Sequence, residues 1–204
     1  MTPSPPDLAL ERFLTQERHA IHLIGVAGSG MSGIAALLLE LGHDVRGSDK
    51  ARTLETGRLA QLGLRAFSPH RAEDAVDAAL IIYSSAIKED NPILADARAR
   101  DIPAIRRAEA LAAIMLGKRG IIIAGMHGKT TTSAMAAHVL RGGGLHPSHY
   151  VGAELPILGS HAHWASLGEY FVAEGVESAG ALQRFLPEHA LIINIEEARL
   201  ETNA

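Results

Sequence analysis

The residues best equipped to do chemistry are Gly125-Met126-His127-Gly128-Lys129-Thr130-Thr131-Thr132, a G-x-x-G-K-T set that follows the apolar run Ile121-Ile122-Ile123-Ala124. Glycines between a strand and a helix let backbone N–H groups cradle phosphate, a lysine neutralises the terminal phosphates, and a threonine hydroxyl at the helix start reaches Mg²⁺. Ile123 stands where the full pattern has its first glycine, so the strand-to-helix context carries the specificity of the remainder. A second set, Gly28-Ser29-Gly30-Met31-Ser32-Gly33, follows another apolar run starting at Ala20. Its G-x-G-x-x-G spacing permits a tight turn, close approach of a diphosphate and free N–H groups at a helix start. The same glycines also suit a purely structural turn, and Asp49 after Ser48 reads equally as a ribose or base contact and as a turn former. Two phosphate loops in one chain imply two nucleotides.

Each loop needs a strand before it and a helix behind it, and the periodicity supplies both. Apolar spacing predicts helices over Met31–Leu41, Thr53–Leu62, Pro92–Arg100, Glu109–Leu116 and Thr130–Arg141, several of them closed by glycine. Short apolar runs predict strands from Ala20, over His43–Gly47, Ala79–Tyr83 and Ile121–Ala124, and buried strands over Tyr170–Glu174 and Ala190–Ile195. This alternation predicts doubly wound parallel α/β architecture. The polar break Gly117-Lys118-Arg119-Gly120 divides it, giving a Rossmann-like parallel-sheet domain over residues 1–117 and a truncated P-loop α/β ATPase domain over residues 118–204.

Composition narrows the function classes. The 204 residues are 47% apolar, enough for real cores, and the net charge of −4 comes from interspersed acids and bases. No basic footprint for nucleic acid or an anionic membrane is present, so an anion must be held locally. The absence of cysteine excludes disulfides, thiolate metal sites and a cysteine nucleophile. The proline-rich start does not read as a signal peptide, and no apolar run approaches the roughly 20 residues of a membrane span, so the expectation is a soluble cytoplasmic protein without membrane insertion.

Taken in order and spacing, Ile24 to Ser32, Gly47-Ser48-Asp49, Tyr83 to Pro92, Arg107-Ala108-Glu109 and Gly125 to Thr132 resemble the Mur ligase family, of the UDP-N-acetylmuramate:L-alanine ligase type. Gly168-Glu169-Tyr170 and Pro187-Glu188-His189 to Asn194-Ile195-Glu196 continue the likeness. The resemblance implies an enzyme of peptidoglycan precursor synthesis that uses ATP and Mg²⁺, activates the muramoyl carboxylate as an acyl phosphate, and lets the amino group of L-alanine attack it. It implies that Gly28, Ser29, Gly30 and Met31 face the diphosphate of UDP-N-acetylmuramate, with Asp49, His70, Ser84 and Ser85 near the uridine or sugar. It places ATP at Gly125, Met126, His127, Gly128, Lys129, Thr130 and Thr131, with Lys129 and Glu177 as the catalytic pair and Thr130 and Glu177 on the metal.

The sequence departs from that pattern in two places. Glu174-Gly175-Val176-Glu177-Ser178-Ala179 keeps Glu177 but lacks both aspartates of the family's Glu-x-Asp-Glu-Ser-Asp, and Ala198, Arg199 and Glu201 stand where an acidic residue, a histidine and an aspartate are usual. Valine and alanine offer Mg²⁺ no hard oxygen, so weak or absent Mg²⁺-dependent turnover is expected. A nucleotide-sugar-binding module without catalysis is therefore the first alternative. A dinucleotide-dependent oxidoreductase is the second, although Lys129 and Thr130 have no role in one. Among the 11 histidines, His146, His149, His161 and His163 cluster in a loop-like stretch with no supporting carboxylate cluster and are expected to be solvated rather than metal-bound. Trp164 and Phe185 are expected to pack rather than stack on a base.

Overall fold

A computed structural model of the chain describes residues 7–175 and 184–195. Its first sheet is built on β1 (Ala20–Ile24), whose side chains are buried from Ile21 onward. Around β1 stand β2 (Asp44–Ser48), β3 (Arg65–Phe67), β4 (Leu80–Tyr83) and β5 (Ala104–Arg106), all parallel in the order β3-β2-β1-β4-β5. Helices α1 (Leu8–Thr15), α2 (Ser29–Glu40), α3 (Leu54–Gln61), α4 (Pro92–Ala99) and α5 (Arg107–Leu116) complete this part. The chain leaves β1 toward β2 on one side and returns through β4 on the other. The loops after β1 and β4 consequently part at the carboxyl edge, which opens the crevice where doubly wound sheets bind ligands.

The second sheet contains β6 (Arg119–Ala124), β7 (Ser148–Tyr150), β8 (Ala162–His163), β9 (Tyr170–Glu174) and β10 (His189–Ile192), in the order β10-β6-β9-β7-β8. All neighbours are parallel except the β7–β8 pair, and α6 (Lys129–Gly142) follows β6. Two residues, Gly117 and Lys118, separate α5 from β6. One apolar cluster runs through both sheets, from Leu14, Ile21 and Leu23 past Ile34 and Leu111 to Ile122, Phe171 and Phe185. The packing of Trp164 and Phe185 follows expectation, Phe185 lying inside this cluster and Trp164 against it.

Helix starts separate two purposes. Thr53 and Thr56 cap α3 reciprocally, and Asn91 accepts from Ile93 N–H with Pro92 in the first turn of α4. By contrast α2 and α6 begin at Gly28 and Gly128 with no capping side chain, so their leading N–H groups are not occupied by a cap. Helix α2 is buried along nearly its whole length, Met31 to Leu38, because both sheets pack on it.

Two expectations need correction. The strand at Ala190–Ile195 is His189–Ile192, and all four residues are exposed, because β10 pairs only with β6 and is an outer strand among the described residues. Helix α1 and the short strands β3, β5, β7 and β8 lie in stretches where no element was expected. Strands of two or three residues are too short for an alternation to register.

Candidate functional site

The first loop is tied down from β2. Gly25, at φ +84°, turns the chain, and the N–H groups of Gly25 and Val26 donate to the Ser48 carbonyl at 2.8 and 3.3 Å. Asp49 accepts from Ala27 N–H at 2.8 Å and, through its other oxygen, from Lys50 N–H at 2.7 Å. Its carboxylate thus clamps the loop. Ser29 and Gly30 remain at the open helix start, whereas Met31 N–H is used by Gly28 O at 2.9 Å and the Met31 side chain is buried. Met31 thus has its backbone donor used within the first helical turn and its side chain in the core.

Across the crevice, Ser84 Oγ accepts from Ala86 N–H at 3.3 Å and Ser85 is exposed on the wall. His70 follows β3 and sits 2.9 Å through Nδ1 from Ser48 Oγ, which in turn lies 3.0 Å from His22 Nε2. Burial lowers the His70 pKa against the opposing pull of Asp49. Deeper burial lowers His22 to about 4, with Arg46 adding to the effect.

The second loop is tied down from beyond β10. Asn194 Oδ1 accepts from Met126 N–H at 2.8 Å and His127 N–H at 3.2 Å, and its Nδ2 donates to His127 O at 3.0 Å. Gly125 and Gly128 take φ values of +144° and +81°, which a Cβ resists. No atom lies within 4 Å of where a Cβ on Gly128 would stand, so this turn faces open space. Lys129 Nζ donates to Gly125 O and, at 3.4 Å, to Met126 O. Thr131 is exposed on the first turn of α6.

Glu174, at the end of β9, accepts from Gly152 N–H at 2.6 Å. A Cβ on Gly152 would stand 2.7 Å from Glu174 Oε2 and 3.2 Å from Thr130 Oγ1, so this carboxylate and the threonine hydroxyl are neighbours. Hard oxygens of this kind suit Mg²⁺, which typically takes one or two carboxylates plus phosphate and water. The sequence reading missed Glu174, although its place at the carboxyl end of a buried strand beside β6 was the available sign. Glu177 lies outside the described residues, as do Val176, Ser178, Ala179, Ala198, Arg199 and Glu201.

The two loops share one cavity of about 380 Å³, lined by Ser29, Gly30 and Ser85 from the first part and by Lys129, Gly152 and Glu174 from the second. Arg107 and Tyr150, neither foreseen as site residues, complete its wall. Arg107 Nη1 donates to Tyr150 OH at 2.8 Å, and that hydroxyl donates to Gly30 O at 2.8 Å. Burial raises the Tyr150 pKa, although Arg107 pulls it back, so the phenol keeps its proton. A Cβ on Gly33 would meet the Tyr150 ring at 2.7 Å, and one on Gly30 would meet the Arg107 guanidinium at 2.8 Å. Gly33 thus leaves room for a ring from far along the chain, and a larger residue at Gly30 would displace the guanidinium.

Two of the four clustered histidines depart from the solvated expectation, while His146 is exposed and His163 is partly so. His149 and His161 are buried, and burial lowers His149 to about 4. His161 Nε2 lies 3.1 Å from Ser32 Oγ, and His163 Nδ1 lies 3.1 Å from Glu40 Oε1, so β8 and its approach stitch the second sheet to α2. Among the described residues no group of three or more His, Cys, Asp or Glu is arranged to hold a metal, and no helix is long and apolar enough to cross a membrane.

Comparison with known proteins adds an independent line. The profile of the Mur ligase family, catalytic domain, matches residues 20–119 and thus stops before the second loop. The UDP-N-acetylmuramate--L-alanine ligase of Xanthomonas campestris pv. campestris (strain B100) is 45% identical over 181 residues, 89% of this chain and 38% of that protein. The enzyme of the same name from Anaeromyxobacter dehalogenans is 47% identical over 181 residues, 39% of its length. The crystal structure of the Thermotoga maritima UDP-N-acetylmuramate-alanine ligase superposes with a TM-score of 0.78 at 32% identity, covering 85% of this chain and 41% of that one. A UDP-N-acetylmuramate:L-alanyl-gamma-D-glutamyl-meso-diaminopimelate ligase from Neisseria gives a TM-score of 0.82 at 24% identity, covering 92% of this chain and 64% of that one, and supports the fold alone. The chain spans about two-fifths of the length of the curated relatives it matches.

Proposed function

This chain belongs to the Mur ligase family, and from that premise we propose that it carries the two nucleotide sites of an ATP-dependent ligase that joins L-alanine to UDP-N-acetylmuramate in peptidoglycan precursor synthesis. Residues 1–117 form the UDP-sugar domain and residues 118–204 belong to the ATP domain. Gly28, Ser29 and Gly30 receive the diphosphate, with His70, Ser84 and Ser85 toward the uridine and sugar and Asp49 holding the loop in shape. Gly128, Lys129, Thr130 and Thr131 receive the ATP phosphates, while Asn194 holds Gly125 to His127 in place. Thr130 and Glu174 are the residues that would hold Mg²⁺, and the ion supplies neutralisation of phosphate charge when bound.

The observation that carries this reading is the single cavity shared by both loops. A ligase of this kind must bring a carboxylate on one nucleotide-linked substrate to the terminal phosphate of another nucleotide. Positioning and charge neutralisation then supply most of the rate. A binding module without turnover is the second reading, favoured by Val176 and Ala179 in place of aspartates.

Calorimetric titration of the chain with UDP-N-acetylmuramate, repeated with Mg²⁺-ATP, tests both. Saturable binding of each ligand is expected if both sites are formed. UDP-sugar binding without an ATP response selects the module, and no UDP-sugar binding by a folded chain refutes the substrate assignment.

A further inference from the structure

The first loop contains no lysine, in contrast to the second. A bound diphosphate brings about two negative charges, and a helix start offsets only about half of one. The charged residues lining the shared cavity are Arg107, Lys129 and Glu174. Glu174 repels an anion, and Lys129 sits on its own loop, bonded to Gly125 O and Met126 O. Arg107 remains. Its guanidinium lies along Gly30, with Nη1, Cζ and Nε at 2.8, 2.9 and 3.1 Å from where a Cβ would stand, so any side chain there would displace it from the loop.

Two features aim this side chain. Its Nη1 donates to Tyr150 OH, and Tyr150 is 4% exposed, with its ring against Gly33 and its hydroxyl proton committed to Gly30 O. A guanidinium fixed at one corner keeps its other N–H groups in a planar fork, the geometry that matches two oxygens of a phosphate. We propose that Arg107 grips the diphosphate of the nucleotide sugar bound at the first loop, and that Tyr150, supplied by the second sheet, is its positioning residue. The first nucleotide site is then incomplete without β7. This inference rests on the proposed assignment of a UDP-sugar to the first loop.

The test is calorimetry of the whole chain with UDP-N-acetylmuramate, alongside uridine binding followed by saturation-transfer NMR. Arg107→Ala is expected to weaken the UDP-sugar roughly 10- to 100-fold, the range of a charge-assisted hydrogen-bonded contact, and to leave uridine affinity at the wild-type level. Arg107→Lys restores charge without the fork and falls between. Tyr150→Phe keeps the ring against Gly33, removes both hydrogen bonds, and is expected to cost roughly 3- to 10-fold. Wild-type UDP-sugar affinity in Arg107→Ala, or an equal loss for uridine, overturns the proposal while leaving the substrate assignment standing. Absence of UDP-sugar binding by the wild-type chain overturns both. If Arg107→Ala does not fold, Arg107→Lys and Tyr150→Phe decide, and unchanged affinity in that pair overturns the proposal.

Discussion

Two helical glycines that look alike in sequence should respond oppositely to alanine. In an ordinary helix Gly→Ala stabilises by about 0.5–1 kcal/mol, because glycine loses more backbone freedom on folding. Gly57 in α3 is exposed with nothing within 4 Å of a Cβ, so Gly57→Ala should gain that amount. Gly33 in α2 is buried, and its Cβ would stand 2.7 Å from Tyr150 Cε2 and 3.2 Å from His161 Cδ2, against roughly 3.5–4.0 Å for relaxed carbon contacts. The ring cannot retreat easily, since its hydroxyl is held by both Gly30 and Arg107. Overpacking of this kind costs about 1–3 kcal/mol, which outweighs the helical gain. Gly33→Ala should therefore be less stable than Gly57→Ala by about 1–3 kcal/mol, or roughly 2–12 °C in melting temperature for a chain of this size. Thermal unfolding followed by circular dichroism measures it. A Gly33→Ala chain that melts at or above Gly57→Ala would refute the packing argument, and in a Tyr150→Ala background the Gly33 penalty should shrink to what the 3.2 Å approach to His161 imposes.

Three further outcomes follow from the geometry. Asn194→Ala removes the bonds to Met126, His127 and the His127 carbonyl, and is expected to weaken ATP binding by about 1–2 kcal/mol, roughly 5- to 30-fold, in a nucleotide titration; unchanged affinity would mean the loop holds its shape unaided. Glu174→Gln can still accept from Gly152 N–H, so the melting temperature should hold while the Mg²⁺ dependence of ATP binding drops; retention of full Mg²⁺ dependence would remove Glu174 from the metal site. His22 and His149 stay neutral in the fold down to about pH 4, whereas an unfolded histidine takes its proton near 6.5. Between those values the unfolded chain binds more protons, so stability is full above pH 6.5 and declines as pH falls toward 4, by up to about 3 kcal/mol per histidine. Urea unfolding at stepped pH reads this directly, and a flat profile across the window would contradict the burial of these rings.

Local pattern determined much of this protein. The two glycine loops, the helices behind them and the strands β1, β4, β6 and β9 follow from apolar spacing and from glycine at turns, because those interactions close within a few residues. Asp49 shows the limit of that reading, since spacing left it as either a ligand contact or a turn former. Its bonds to Ala27 and Lys50 place it under the loop. Other features were decided only in three dimensions. Arg107 and Tyr150 are separated along the chain from each other and from Gly30; Arg107 stands in a stretch that carries the family likeness, but its spacing assigns it no role, and nothing near Tyr150 marks it as part of a site. The four histidines read as solvated because their stretch lacks periodicity, yet two of them are buried, with His161 packing against α2. The exposure of β10 likewise depends on which strand lies beside it. Sequence period reports which face of an element is apolar, but the partner of that face is chosen by packing between distant segments, and here that packing joins both nucleotide loops in one cavity.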